Sequence, residues 1–311
     1  MIQLLLIPIV APAVAALACL VIADTAPGRA SARWTAIVGF EAAIGTSIGA
    51  LVRAIHSGSF GRAGFAGEPW RIGLSLAVLV VTVAGIVPRP RAPRETAAIL
   101  AAASAGAAMP LAYHAASASA FVFASVAGAL GLVVLRPGAS ARAVAMFAAA
   151  SVGLSAALFF LSRSSSTVPL IAHGAAGAVF VAVVAVLGGV VPSTVDARDA
   201  DPLFGTVALG VFRVEAVAVA VWIGLSRGVP AQSLMIGGAV AAMIHARRAA
   251  RTASAPSALA ALTGLVFAAI GSGSAAARDG AVLLAAGLFL ATVLLLRGRA
   301  QDAGAPEEEQ D

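Results

Sequence analysis

Residues 203–225 read "LFGTVALGVFRVEAVAVAVWIGL", an apolar run whose only charges, Arg213 and Glu215, stand near its centre. A run of this length crosses a bilayer as a helix. A charge at mid-span costs about 2.5–3.5 kcal/mol or more, so such side chains face a protein interior or a water-filled path. The two residues are two positions apart, about 200° around a helix, so each needs a partner of its own.

The rest of the chain repeats this pattern. Hydrophobic residues make up 60% of the 311 and charged residues 11%, far below the roughly 25% charged of a soluble domain. The composition is that of an all-α, polytopic transmembrane helical bundle; alternating strands of about ten residues, the mark of a membrane barrel, are not found. Eleven spans are expected, at roughly 2–22, 34–52, 70–87, 96–113, 118–135, 143–161, 169–191, 203–225, 230–245, 257–272 and 281–296. Linkers rich in Arg, Pro, Ser and Gly separate them. The organisation expected is one transmembrane domain, 1–298, and an acidic, disordered cytoplasmic tail, 299–311. The first span has no basic region ahead of it and is long enough to remain as a helix rather than be cleaved. Its prolines, Pro8 and Pro12, need neighbouring helices to satisfy freed carbonyls.

All 20 basic residues are arginine and none is lysine, which with the Ala, Gly and Pro content suggests a GC-rich bacterial genome. Thirteen arginines fall in linkers on one side of the spans. The other side receives Arg53, Arg62, Arg71, Arg163, Arg227 and Arg278. The bias places the first side in the cytoplasm of a bacterial plasma membrane, with the N-terminus outside and the C-terminus inside. Scattered loop arginine is not a nucleic-acid-binding stripe.

Enzyme-like patterns fail on context. "GTSIG" at 45–49 matches a nucleophile elbow, which requires a strand-to-helix turn; inside a span, Gly45 and Gly49 read as a small-residue packing face. "GSGSAA" at 271–276 resembles a dinucleotide loop with no strand before it. A P-loop needs lysine. His56, His114, His173 and His245 are isolated, and Cys19 is the single cysteine, so no metal site and no cofactor is expected. His173, near the start of the seventh span, reads either as a proton-path residue or as a hydrogen-bonded interface histidine. Glu41, inside the second span, reads either as a proton carrier or as a structural charge pairing with an arginine, Arg213 included. The seventh span ends in "LGGVVPSTVDARDADP", where Gly188, Gly189 and Pro192 favour a broken helix.

Several of these segments together resemble the antiporter-like proton-conducting membrane subunits of NADH–quinone oxidoreductase, membrane-bound hydrogenases and multisubunit cation/proton antiporters. "HARRAARTASAPSAL", 245–259, is similar to the family's basic loop after the ninth helix, with Arg247 and Arg248 on its basic pair. Pro192 and Asp199 keep the spacing of the family's proline–aspartate motif. The ungapped continuation sets Arg213 on the lysine of the eighth helix, and a two-residue shift sets Glu215 there. "ARAVAMFAAASVGLSAALFFL" (141–161) and "AAGLFLATVLLL" (285–296) resemble the sixth and eleventh helices.

The resemblance implies an antiporter-like fold lacking the last helices, and other membrane subunits plus the lipid bilayer as partners. It also implies a proton path of lysines and a glutamate, from which this sequence departs. Ala124 or Ser125 stands where the fifth-helix glutamate is expected, Leu187 and Leu290 where two lysines are expected, and Arg213 where a third is. A desolvated lysine releases its proton within reach of neutral pH; arginine holds its own above pH ~12. The function expected is therefore a membrane subunit of a redox-linked or ion-translocating complex, proton-channel-like but in an accessory or scaffold role. The alternatives are a stand-alone transporter of a small anionic solute, using the broken helix and Arg213, and a membrane enzyme acting on lipid-linked substrate through "DARDAD" at 196–201.

Overall fold

In the computed structural model the described residues are 3–62, 64–86, 91–114, 116–122, 124–125, 152–159, 202–225, 229–252 and 255–302. They form α1 (Gln3–Leu20), α2 (Ala26–Ser57), β1 (Phe60–Arg62), β2 (Phe65–Gly67), α3 (Pro69–Ile86) and α4 (Pro93–Leu111). After the helical stretches at 116–125 and 152–159 come α5 (Pro202–Leu225), α6 (Val229–Thr252), α7 (Ala255–Gly271) and α8 (Ala275–Asp302). Each helix falls on an expected span; the seventh span, 169–191, lies outside the described residues. Among the described helices, α1 and α2 are both long and apolar enough to cross a membrane.

Local chemistry sets the helix ends. Thr25 caps α2, its hydroxyl accepting the Gly28 amide at 3.2 Å, with a proline in the first turn. Gly58, at φ +79°, ends the same helix in a conformation L-residues avoid. α1 runs through both of its prolines. A ring at Pro12 pries open the preceding turn, and there Ser104 of α4 donates to the Ile9 carbonyl at 2.6 Å. The contact falls one residue beyond the Pro8 carbonyl, which is the one that Pro12 leaves without its helical amide.

Two tightly packed groups build the bundle. α1, α2 and α4 pack through small residues, among them Ala15, Ala36, Ala43 and Ala103, around Phe40 and Leu100. α5 is the hub of the second group and touches α3, α4, α6, α7 and α8. Every residue from Val214 to Val221 on it is buried. A helix apolar on all sides belongs in such a centre.

α6 and α7 form an antiparallel pair so close that glycine is required at the crossing. A Cβ on Gly264 would lie 2.6 Å from the Ala242 nitrogen, and one on Gly238 would lie 2.6 Å from the Ala268 nitrogen.

Three local features refine these expectations. Gly45 and Gly49 do share one face of α2, but that face meets no other helix among the described residues; a Cβ on either has no described atom within 4 Å. The small-residue crossing lies instead between α6 and α7, where two helices meet. Arg247 and Arg248 are not in a loop, because α6 continues to Thr252, and both are exposed on its last turns. The polar sequence after His245 marks where the helix leaves the apolar layer, not where it ends. Finally, "SFGRAGFAG" forms a two-stranded antiparallel hairpin pairing Phe60 with Gly67 and Arg62 with Phe65. It is an addition to the all-helical plan, too short to signal itself by alternation.

Candidate functional site

α5 carries the central charges. Glu215 is 1% exposed and flanked along its helix by Val214 and Ala216, both buried. Neither carboxylate oxygen completes a hydrogen bond among the described residues. Ser125, on the 116–125 stretch, is the polar group set against it, its hydroxyl equally without a completed bond. Ser125 is one of the two residues that stand where the resemblance expects a glutamate, so a carboxylate does face that place, but it is borne by α5.

Further buried polar atoms without a hydrogen bond among the described residues include the hydroxyls of Ser75 and Ser155 and the indole nitrogen of Trp222. Their helices contribute to the same apolar cluster as α5. Ser119 donates to the Ser155 carbonyl at 3.2 Å, tying the 116–125 and 152–159 stretches together.

Arg213 lies on α5 by its backbone, and its side chain is outside the described residues. His173, Gly188, Gly189, Pro192 and Asp199 are also outside them. Glu41 is described and does not join the central charges. It is exposed on the outer face of α2 and makes no ion pair among the described residues. The expected pairing of Glu41 with an arginine is therefore not formed among them. The described residues hold no cluster of three or more metal-ligating side chains.

A second polar centre is not expected from the sequence, where Arg71 reads as a solvated charge at the edge of the span 70–87. It is 5% exposed and lies in the first turn of α3. Its guanidinium donates to the carbonyls of Pro110 at 3.0 Å and Ala112 at 2.7 Å, at the C-terminal end of α4. It also donates to the Glu68 carboxylate at 3.1 Å. The rings of Trp70 and Trp222 hold it at 4.5 and 4.7 Å, a geometry in which aromatic faces attract a cation. Glu68 also accepts from the Trp70 indole at 2.5 Å. One cation therefore joins the start of α3, the end of α4 and the end of α5. "EPWR" at 68–71, an acid and a base around Pro-Trp at the start of a span, is the signal that could have found it.

No protein-family model matches the sequence, and no curated protein does. The fold, however, has solved counterparts. A chain of the membrane-bound sulfane sulfur reductase, an archaeal respiratory membrane complex, superposes with a TM-score of 0.69 at 14% identity, over 94% of this chain and 55% of that one. A chain of respiratory complex I from Thermus thermophilus superposes with a TM-score of 0.67 at 15% identity, over 94% of this chain and 69% of that one. The present chain thus spans little more than half the length of the reductase chain. It shares its fold with these chains of two respiratory membrane complexes, in keeping with the fold the resemblance implied.

Proposed function

We propose that this chain is a membrane subunit of a redox-linked or ion-translocating complex and serves it as an accessory or scaffold element, not as an independent proton conductor. Its place is a bacterial plasma membrane, N-terminus outside and C-terminus cytoplasmic. Its partners are other membrane subunits of a respiratory, hydrogenase-like or antiporter complex. The shared fold supports membership in such an assembly. The observation that carries the accessory role is the chemistry of the central helix. The chain has no lysine, its mid-span cation is an arginine that does not release protons, and among the described residues Glu215 is buried with only the Ser125 hydroxyl set against it and no completed hydrogen bond to hand a proton on. A relay needs groups that both accept and release within hydrogen-bond reach.

The test is to reconstitute the purified chain alone in liposomes carrying a pH-sensitive dye and impose a potential. The dye is expected to respond as in protein-free liposomes, with Glu215→Gln indistinguishable from the parent. Robust proton flux that Glu215→Gln abolishes would overturn the accessory role.

A further inference from the structure

We infer that the outer face of α2 is the docking surface for one transmembrane helix of another subunit, a helix that brings an arginine or lysine to Glu41. Three observations on one stripe carry this. Glu41 sits at the midpoint of a 32-residue helix, about 24 Å from either end at 1.5 Å per residue, which is the costliest depth for a carboxylate. It is exposed and makes no hydrogen bond or ion pair among the described residues.

Gly45 and Gly49 follow at four-residue steps on the same face, with open space where a Cβ would point. Glycine inside a helix is unfavourable unless something approaches closely, and among the described residues nothing does. The flanking residues Trp34, Val38, Ile48 and Val52 are all exposed and apolar. The stripe therefore offers an apolar border, a shallow groove where a second backbone fits, and a charge one turn along that demands an opposite charge.

The occupant is not a second copy of this chain. A twofold pair over this face sets Glu41 near Glu41, and like charges at mid-depth repel. Nor does a second copy have a mid-depth cation to offer there among the described residues. Its mid-span arginine, Arg213, belongs to α5, the helix enclosed by five others. This inference rests on the chain being a membrane subunit but not on its being passive toward protons, and its test reads association, not flux.

The full-length chain, labelled on its C-terminal tail, is placed in liposomes of phosphatidylcholine and phosphatidylglycerol with a labelled synthetic Leu/Ala helix of about 20 residues. The helix carries a central arginine with glycine one turn to either side, and sister peptides carry leucine or glutamate at the centre. Energy transfer is expected to show the arginine peptide binding about tenfold more tightly than the leucine peptide, and the glutamate peptide no better than leucine. Glu41→Gln is expected to erase the preference for arginine, and Gly45→Leu with Gly49→Leu to weaken all three peptides. Because Glu41 is exposed without an ion pair and both glycines face open space among the described residues, these variants are expected to unfold at about the parent temperature. Equal binding of the arginine and leucine peptides to the parent would sink the proposal. So would strong energy transfer between copies of the chain without peptide, which would make the covering helix its own.

Discussion

Arg71→Ala is expected to lower the stability of the isolated chain by about 3–4 kcal/mol, the largest loss from any single charge change among the described residues. The guanidinium is enclosed between two indole rings, and it satisfies two carbonyls at the end of α4 that have no helical amide to accept. Removing it leaves both acceptors unpaired, at about 1–3 kcal/mol for each group that stays dry. The Glu68 ion pair adds less, since that carboxylate is 39% exposed and partly screened. Arg71→Lys is expected to recover less than half of the loss. An ammonium cannot lie flat between two rings while reaching two carbonyls and a carboxylate. Thermal unfolding in detergent checks both variants. A lysine variant as stable as the parent would show that only charge, and not the planar fork, holds α3, α4 and α5 together.

Gly264→Leu is the second large effect, about 3 kcal/mol or more, from overpacking. Its added carbon would lie 2.6 Å from the Ala242 backbone nitrogen and 2.8 Å from the Gly238 carbonyl oxygen. Both are main-chain atoms and cannot rotate aside, so α6 and α7 must separate along their length. Gly45→Leu is the internal control: its side chain enters open space, and the isolated chain should unfold at about the parent temperature. A Gly264→Leu chain that unfolds with the parent would mean that the close crossing is not needed for stability.

Much of this architecture was legible in the sequence because bilayer length and apolar composition determine it. The run 203–225 reads as a helix needing protein on every side, and α5 is enclosed on every side between Val214 and Val221. What could not be read was direction. Glu41 and Glu215 are both carboxylates at the middle of apolar runs, yet one points outward from α2 and the other into the core. With most positions apolar, helical periodicity in these spans is too weak to tell the two faces apart. The same blindness affected Gly45 and Gly49, where small residues were correctly seen as permitting close approach but their orientation away from the chain was hidden. Arg71, at the very start of the span 70–87, reads as an ordinary solvated edge charge. Its burial depends on Trp222 and on the end of α4, groups remote in sequence.

The short hairpin has a consequence for how the connection from α2 to α3 behaves. Gly58, Gly61, Gly64 and Gly67 make this segment look like a slack tether open to cutting. Instead, Tyr113 donates its amide to the Gly64 carbonyl at 2.7 Å, and Phe65 bridges to Ala112 while its ring lies 6.2 Å from that of Phe121. The tether is stitched to the far end of α4, so proteases that favour loose glycine-rich segments should leave 58–68 uncut in the folded chain and cleave it readily once Arg71 no longer secures that end.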